Sequence, residues 1–296
     1  MRIDKAKQFI MENARAYERA LYRYFFQNGS KDSVIKELRQ YQNSDGGFGH
    51  GLEADNWNPN SNPIATNDAV ITLYRIGALE KDSEIVQSII SYLYSHDSFD
   101  ESQRRWLFAI DSNKDYPHAF WWEKRDDGIH DFNPTVSLAT LCVCFGNGDE
   151  YYREIVQEAF DYLNDTLDVS GDALKCFLLS YEMLRMNSMN NVIDLEKAHQ
   201  VICERLESAI EKDVTLYGVE YVPAPSDFFV GVYEEFISEG IQQLIDAEKE
   251  VLGKLQKADG GFDISWTWGT EYAEFEQARS WWRPRITIDK LLFLER

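Results

Sequence analysis

Basic residues are scarce in this chain: 30 Lys and Arg stand against 51 Asp and Glu, a formal charge of −21 at pH 7. Nucleic-acid binding needs clustered cations to neutralise phosphates, so that class is excluded. The same deficit disfavours adsorption to an anionic membrane surface. Long apolar runs are missing too; no stretch approaches the ~20 residues that cross a bilayer, and no membrane insertion is expected. The stretch MRIDKAKQFIMENARAYERALYRYFF is charged throughout, so no secretory leader is expected. Cysteine is sparse: Cys142, Cys144, Cys176 and Cys203 fall in helical patterns without zinc spacing. That predicts reduced, buried thiols and a cytoplasmic setting.

Apolar residues are plentiful, at 44% of 296 residues with 14% aromatic, enough for a sizeable core in one domain spanning 1–296. Periodicity is helical almost everywhere. Ile3, Phe9, Ile10, Ala14, Tyr17, Leu21 and Tyr24 trace one face of a long first helix. Ser30 or Asp32 can cap a second, striped by Val34, Ile35, Leu38 and Tyr41. Later helices are expected around 66–77, 82–95, 134–146, 150–166, 171–187, 194–212, 240–257 and 285–295. Short connections alternate with long ones at 43–65, 96–133, 213–239 and 258–284, and long loops in a compact domain usually carry function.

Two of these long loops repeat. Leu38-x-x-Tyr41-Gln42-x-x-Asp45-Gly46-Gly47-Phe48 is matched by Leu252-x-x-Leu255-Gln256-x-x-Asp259-Gly260-Gly261-Phe262. Downstream, Pro63-x-x-Thr66-x-Asp68 is matched by Pro284-x-x-Thr287-x-Asp289, each opening a helix. A weaker third copy runs from Leu107 through Asn133-Pro134-Thr135. A helical hairpin cannot bury its own apolar face, so such repetition implies a closed or stacked array of hairpins. The paired glycines permit positive φ, and Asp45 or Asp259 can accept backbone N–H groups, so the shared half of the motif reads as architecture.

The repeat resembles the glutamine/aromatic motif of the terpenoid-cyclase and protein-prenyltransferase superfamily, and GGFGHGLEAD, YPHAFWWE and FNPTVSLATL are similar to a small bacterial branch of that class. The resemblance implies an all-α fold, an α/α toroid of about five to six helical hairpins. It also implies an aromatic-lined central pocket for an isoprenoid or similar apolar substrate. The acid motifs of such enzymes are not reproduced: Glu53-Ala54-Asp55-Asn56 departs from Asp-x-Asp-Asp at its first and last positions, and Asp126, Asp127 and Asp131 have the wrong spacing for Asp-Asp-x-x-Asp. A carbohydrate-active hydrolase or lyase on an α/α barrel, and a non-catalytic toroid binding a ligand, are the alternatives.

Chemistry belongs where the repeats diverge. After Phe48 come His50, Glu53 and Asp55, a set that can act as general acid and base or hold a divalent ion; the plainer reading is a polar loop satisfying its own backbone. In Tyr116-Pro117-His118-Ala119-Phe120-Trp121-Trp122-Glu123, the side chains of His118, Trp121 and Trp122 can wall a cavity for an apolar chain or a sugar face, with Glu123 as a further catalytic carboxylate. After Phe262, Trp266 and Trp268 are substrate-binding candidates, as are Trp281, Trp282 and Arg283 in the Arg-rich run 279–285. Those arginines can hold an anionic group or pair with surface carboxylates. Asp126-Asp127-Gly128-Ile129-His130-Asp131 reads as a turn rather than a metal site.

Overall fold

The computed structural model describes residues 2–124 and 131–296. These residues are predominantly helical, and the fold is all-α. In chain order the helices are α1 (Ile3–Asn13), α2 (Ala16–Phe26), α3 (Lys31–Leu38), α4 (Pro63–Arg75), α5 (Glu84–Tyr94) and α6 (Thr135–Phe145). They continue with α7 (Glu150–Asp165), α8 (Gly171–Met186), α9 (Leu195–Ala209), α10 (Glu239–Leu255) and α11 (Phe275–Glu295). One short antiparallel ribbon pairs β1 (Phe99–Asp100) with β2 (Arg105–Trp106), Phe99 opposite Trp106. Among the described residues no helix is long and apolar enough to cross a membrane.

The chain divides into two compact units, Tyr41–Ala209 and Met1–Gln40 joined with Ile210–Arg296. In the first, α6 packs against α5, α7 and α8, and every one of its residues is buried. Its sequence TVSLATLCVCF has no charge, and a helix apolar on all sides belongs inside. Its hydroxyls stay satisfied: Thr140 Oγ1 donates to the Val136 carbonyl at 2.8 Å. Flanking helices α5 and α7 bury single faces instead, Ile85, Val86, Ile89, Ile90 and Leu93 on one, Tyr152, Ile155, Val156, Ala159 and Leu163 on the other. Arg205 on α9 is buried and donates to the Leu163, Asn164 and Thr166 carbonyls, closing the orphan end of α7. In the second unit, α2 packs on α1, α3 and α11, and α11 packs also on α1.

Helix starts follow short polar caps. Ser30 Oγ accepts from Ser33 N–H at 3.2 Å, and Asn62 Oδ1 accepts from Ala65 N–H at 2.8 Å with Pro63 at the first helical position. Two boundaries differ from the sequence expectation by more than a helical turn. The long first helix is broken into α1 and α2: Asn13 donates its amide to the Phe9 carbonyl at 2.9 Å, and Ala14 then turns extended with ψ 151°. The last helix begins ten residues before its expected start, so Pro284 lies inside α11.

Candidate functional site

The repeated loops are wired alike. Gln42 Nε2 donates to the Gly46 carbonyl at 3.0 Å, and Gln256 Nε2 donates to the Gly260 carbonyl at 2.9 Å. Asp45 Oδ1 accepts from Gly47 N–H at 2.9 Å, and Asp259 Oδ1 accepts from Gly261 N–H at 3.0 Å. Phe48 N–H donates to Thr66 Oγ1 at 3.1 Å, as Phe262 N–H does to Thr287 Oγ1 at 3.0 Å. In the third copy Trp106 takes the aromatic place, its N–H donating to Thr135 Oγ1 at 3.0 Å. Each motif therefore fastens a turn to the first turns of a buried helix, or, in α11, to its middle. The glutamine, aspartate, glycines and aromatic are structural.

Beyond Phe48 the chain leaves this pattern. His50 is exposed with φ 56°, and its Nε2–H donates back to Asn43 Oδ1 at 2.8 Å. Glu53 is half-buried, whereas Asp55 is 2% exposed. The next residues meet the aromatic loop: Trp57 N–H donates to the Pro117 carbonyl at 3.0 Å, and Ala119 N–H to the Asp55 carbonyl at 2.9 Å. These two bonds bracket an antiparallel bridge between Asn56 and His118. In such a pair the two side chains face each other at close range.

His118 is 4% exposed, and its Nδ1–H donates to the Tyr116 carbonyl at 2.6 Å. A carbonyl can only accept, so Nδ1 carries a proton in that bond and the ring is anchored through it. Opposite it stands a carboxamide cluster. Asn113 Oδ1 accepts from Asn56 Nδ2 at 3.2 Å and from Asn58 Nδ2 at 2.9 Å, while Asn113 Nδ2 donates to the Trp122 carbonyl at 3.0 Å. All three asparagines are buried. One amide thus locks the segments 56–58 and 122 together.

The structure brings the Asp55 segment to the His118 segment. The remaining candidates have partners of their own. Trp122 is buried and stacked on Phe108 with ring centroids 4.7 Å apart. Trp121 meets the edge of Phe120 at 5.2 Å, and Glu123 is exposed. Trp266, Trp268, Trp281, Trp282 and Arg283 belong to the other compact unit. There Trp268 is buried beside Tyr272 and Phe275, and Trp266 meets Tyr221 and Trp282 edge-on. The Arg15 guanidinium lies 5.1 Å over Trp281. Arg283 donates twice to Asp259, at 3.0 and 2.9 Å, and once to the Phe262 carbonyl. Arg279 likewise grips Asp263, whose carboxyl is held below its usual range by those hydrogen bonds. The 279–283 arginines sit within α11 and not ahead of it, and these two tie down the second repeated loop.

The asparagines 56, 58 and 113 were not anticipated as functional. Their signal was present in the alternation Asn56-x-Asn58-x-Asn60-x-Asn62, four carboxamides at the period of an extended chain. Of the run 126–131, only Asp131 falls within the described residues. Among the described residues no three His, Cys, Asp or Glu side chains gather as a metal-holding group. No protein-family model, curated protein or solved structure matches the chain.

Proposed function

We propose that the helices form an α/α toroid, and that the chain is an acid–base enzyme acting on a hydroxyl-rich substrate, as a carbohydrate hydrolase or lyase. The supporting observation is the Asn56–His118 pairing, with a buried imidazole anchored at Nδ1 beside the carboxamide segment that carries buried Asp55. His118 Nε2 is the base in this reading, and Asp55 is the second group of the acid–base pair. Asn56, Asn58 and Asn113 position them. An isoprenoid pocket needs a dry aromatic wall at this place, yet Trp122 is already engaged with Phe108 and the neighbouring groups are amide, carboxylate and imidazole.

The test is an assay of wild type, His118→Gln and Asp55→Asn against neutral and uronate-containing oligosaccharides, following new reducing ends and unsaturated products. Turnover by wild type that falls ~100-fold or more in either variant, with circular dichroism unchanged, supports the reading. Full activity in His118→Gln, or no turnover of any oligosaccharide by wild type, overturns it.

A further inference from the structure

A depression of about 370 Å³ opens on the unit formed by Met1–Gln40 and Ile210–Arg296. Its lining includes Lys254, Lys257 and Lys290 with Asp263, and Val219 and Leu255 supply apolar surface. Three lysines lining one hollow are unusual in a chain of charge −21. We propose that this depression binds a small organic anion with a compact apolar body, an aryl phosphate or aryl carboxylate.

The charges decide the sign of the ligand. Lys290 is matched by Glu248, which is fully buried and accepts its Nζ at 3.1 Å. Lys290 donates also to Ser226 Oγ, so two of its three N–H donors are engaged and the ammonium is fixed in place. Asp263 is matched by Arg279, which donates to both its oxygens. Lys257 lies 3.9 Å from that same, already paired carboxylate, and Lys254 has no ion-pair partner among the described residues. Two positive charges are therefore left over at the rim. The C-terminus of α10 reaches this place, but its dipole carries only about half a negative charge and cannot balance two lysines. The volume lies at the small end of ligand sites and suits a single ring. Ammonium groups act as point charges without the bidentate geometry of arginine, so phosphate and carboxylate share the required chemistry.

The experiment titrates phenyl phosphate, benzoate and benzyl alcohol into the whole chain, observed by isothermal calorimetry and by NMR shifts of labelled lysine methylenes. Saturable binding of phenyl phosphate or benzoate, absent for benzyl alcohol and weakened by added salt, is expected; the tighter of the two anions identifies the ligand class. Lys254→Ala and Lys257→Ala should each weaken binding about fivefold, while Lys81→Ala on the other unit leaves it unchanged. Equal binding of benzyl alcohol, an unchanged affinity in the Lys254→Ala/Lys257→Ala double variant, or no saturable binding in the millimolar range overturns the proposal. Both lysines are exposed, so these variants retain the fold.

Discussion

Phe48 and Thr66 are joined by one buried hydrogen bond, backbone N–H to Oγ1, and Phe262 with Thr287 repeats it across the chain. Each threonine hydroxyl in turn donates one helical turn back, to Asn62 O at 2.8 Å and to Arg283 O at 2.7 Å. Replacing Thr66 by Val keeps the shape but strands the Phe48 N–H. Thermal unfolding should show a loss of about 1–3 kcal/mol, whereas Thr66→Ser stays near wild type.

Gly46 and Gly260 have φ of 96° and 100°, and a Cβ on either meets a backbone oxygen, that of Ser88 at 2.0 Å or Lys5 at 2.3 Å. Neither carbonyl can move without disturbing its helix. Gly46→Ala and Gly260→Ala should each cost more than about 2 kcal/mol in denaturant unfolding, exceeding the loss at Gly77, whose Cβ meets nothing.

The sequence carried these loops well because glycine, aspartate and glutamine act locally. It was less informative where the same residue serves two ends. Pro63 opens α4 and Pro284 occupies the interior of α11, though both precede Thr by three. The difference lies in the ten helical residues Phe275–Pro284, read as loop because their tryptophans and arginines made no clean apolar stripe. The break at Ala14 was hidden similarly, since the apolar face continues across it in register. At the candidate site, His118 and Asp55 were legible as residue types, but their meeting depends on backbone bonds between segments sixty positions apart, which no local pattern encodes.

Hydrogen bonds from Arg279 hold Asp263 below the usual carboxylate range, outweighing its partial burial. A depressed folded-state value means stability that is present above the unfolded value of about 4 and disappears as pH falls through the folded one. With Arg279 partly exposed, screening limits the effect to ~1 kcal/mol. Asp263→Asn should therefore be less stable at neutral pH and show a flatter decline below about pH 4, as read by urea unfolding across a pH series.

Burial pushes the Cys144 and Cys176 thiols up to about 12, and Cys142 well above its ordinary value. Thiolate, the reactive form, is then rare at these positions in mildly alkaline buffer. Mass spectrometry after iodoacetamide treatment of the native chain should find modification at Cys203, which is only half-buried, and at all four sites after denaturation.

Arg2 N–H donates to Gln256 Oε1 at 2.8 Å, and Gln256 Nε2 donates to the Arg2 carbonyl at 3.0 Å, a clasp between positions 254 apart. During synthesis the contiguous segment Tyr41–Ala209 leaves the ribosome with all its own helices, while the packing of α1 and α2 against α11 must wait for α11 to be translated. Vectorial emergence thus sets an order of assembly, in which the contiguous unit is complete before the unit whose two segments flank it.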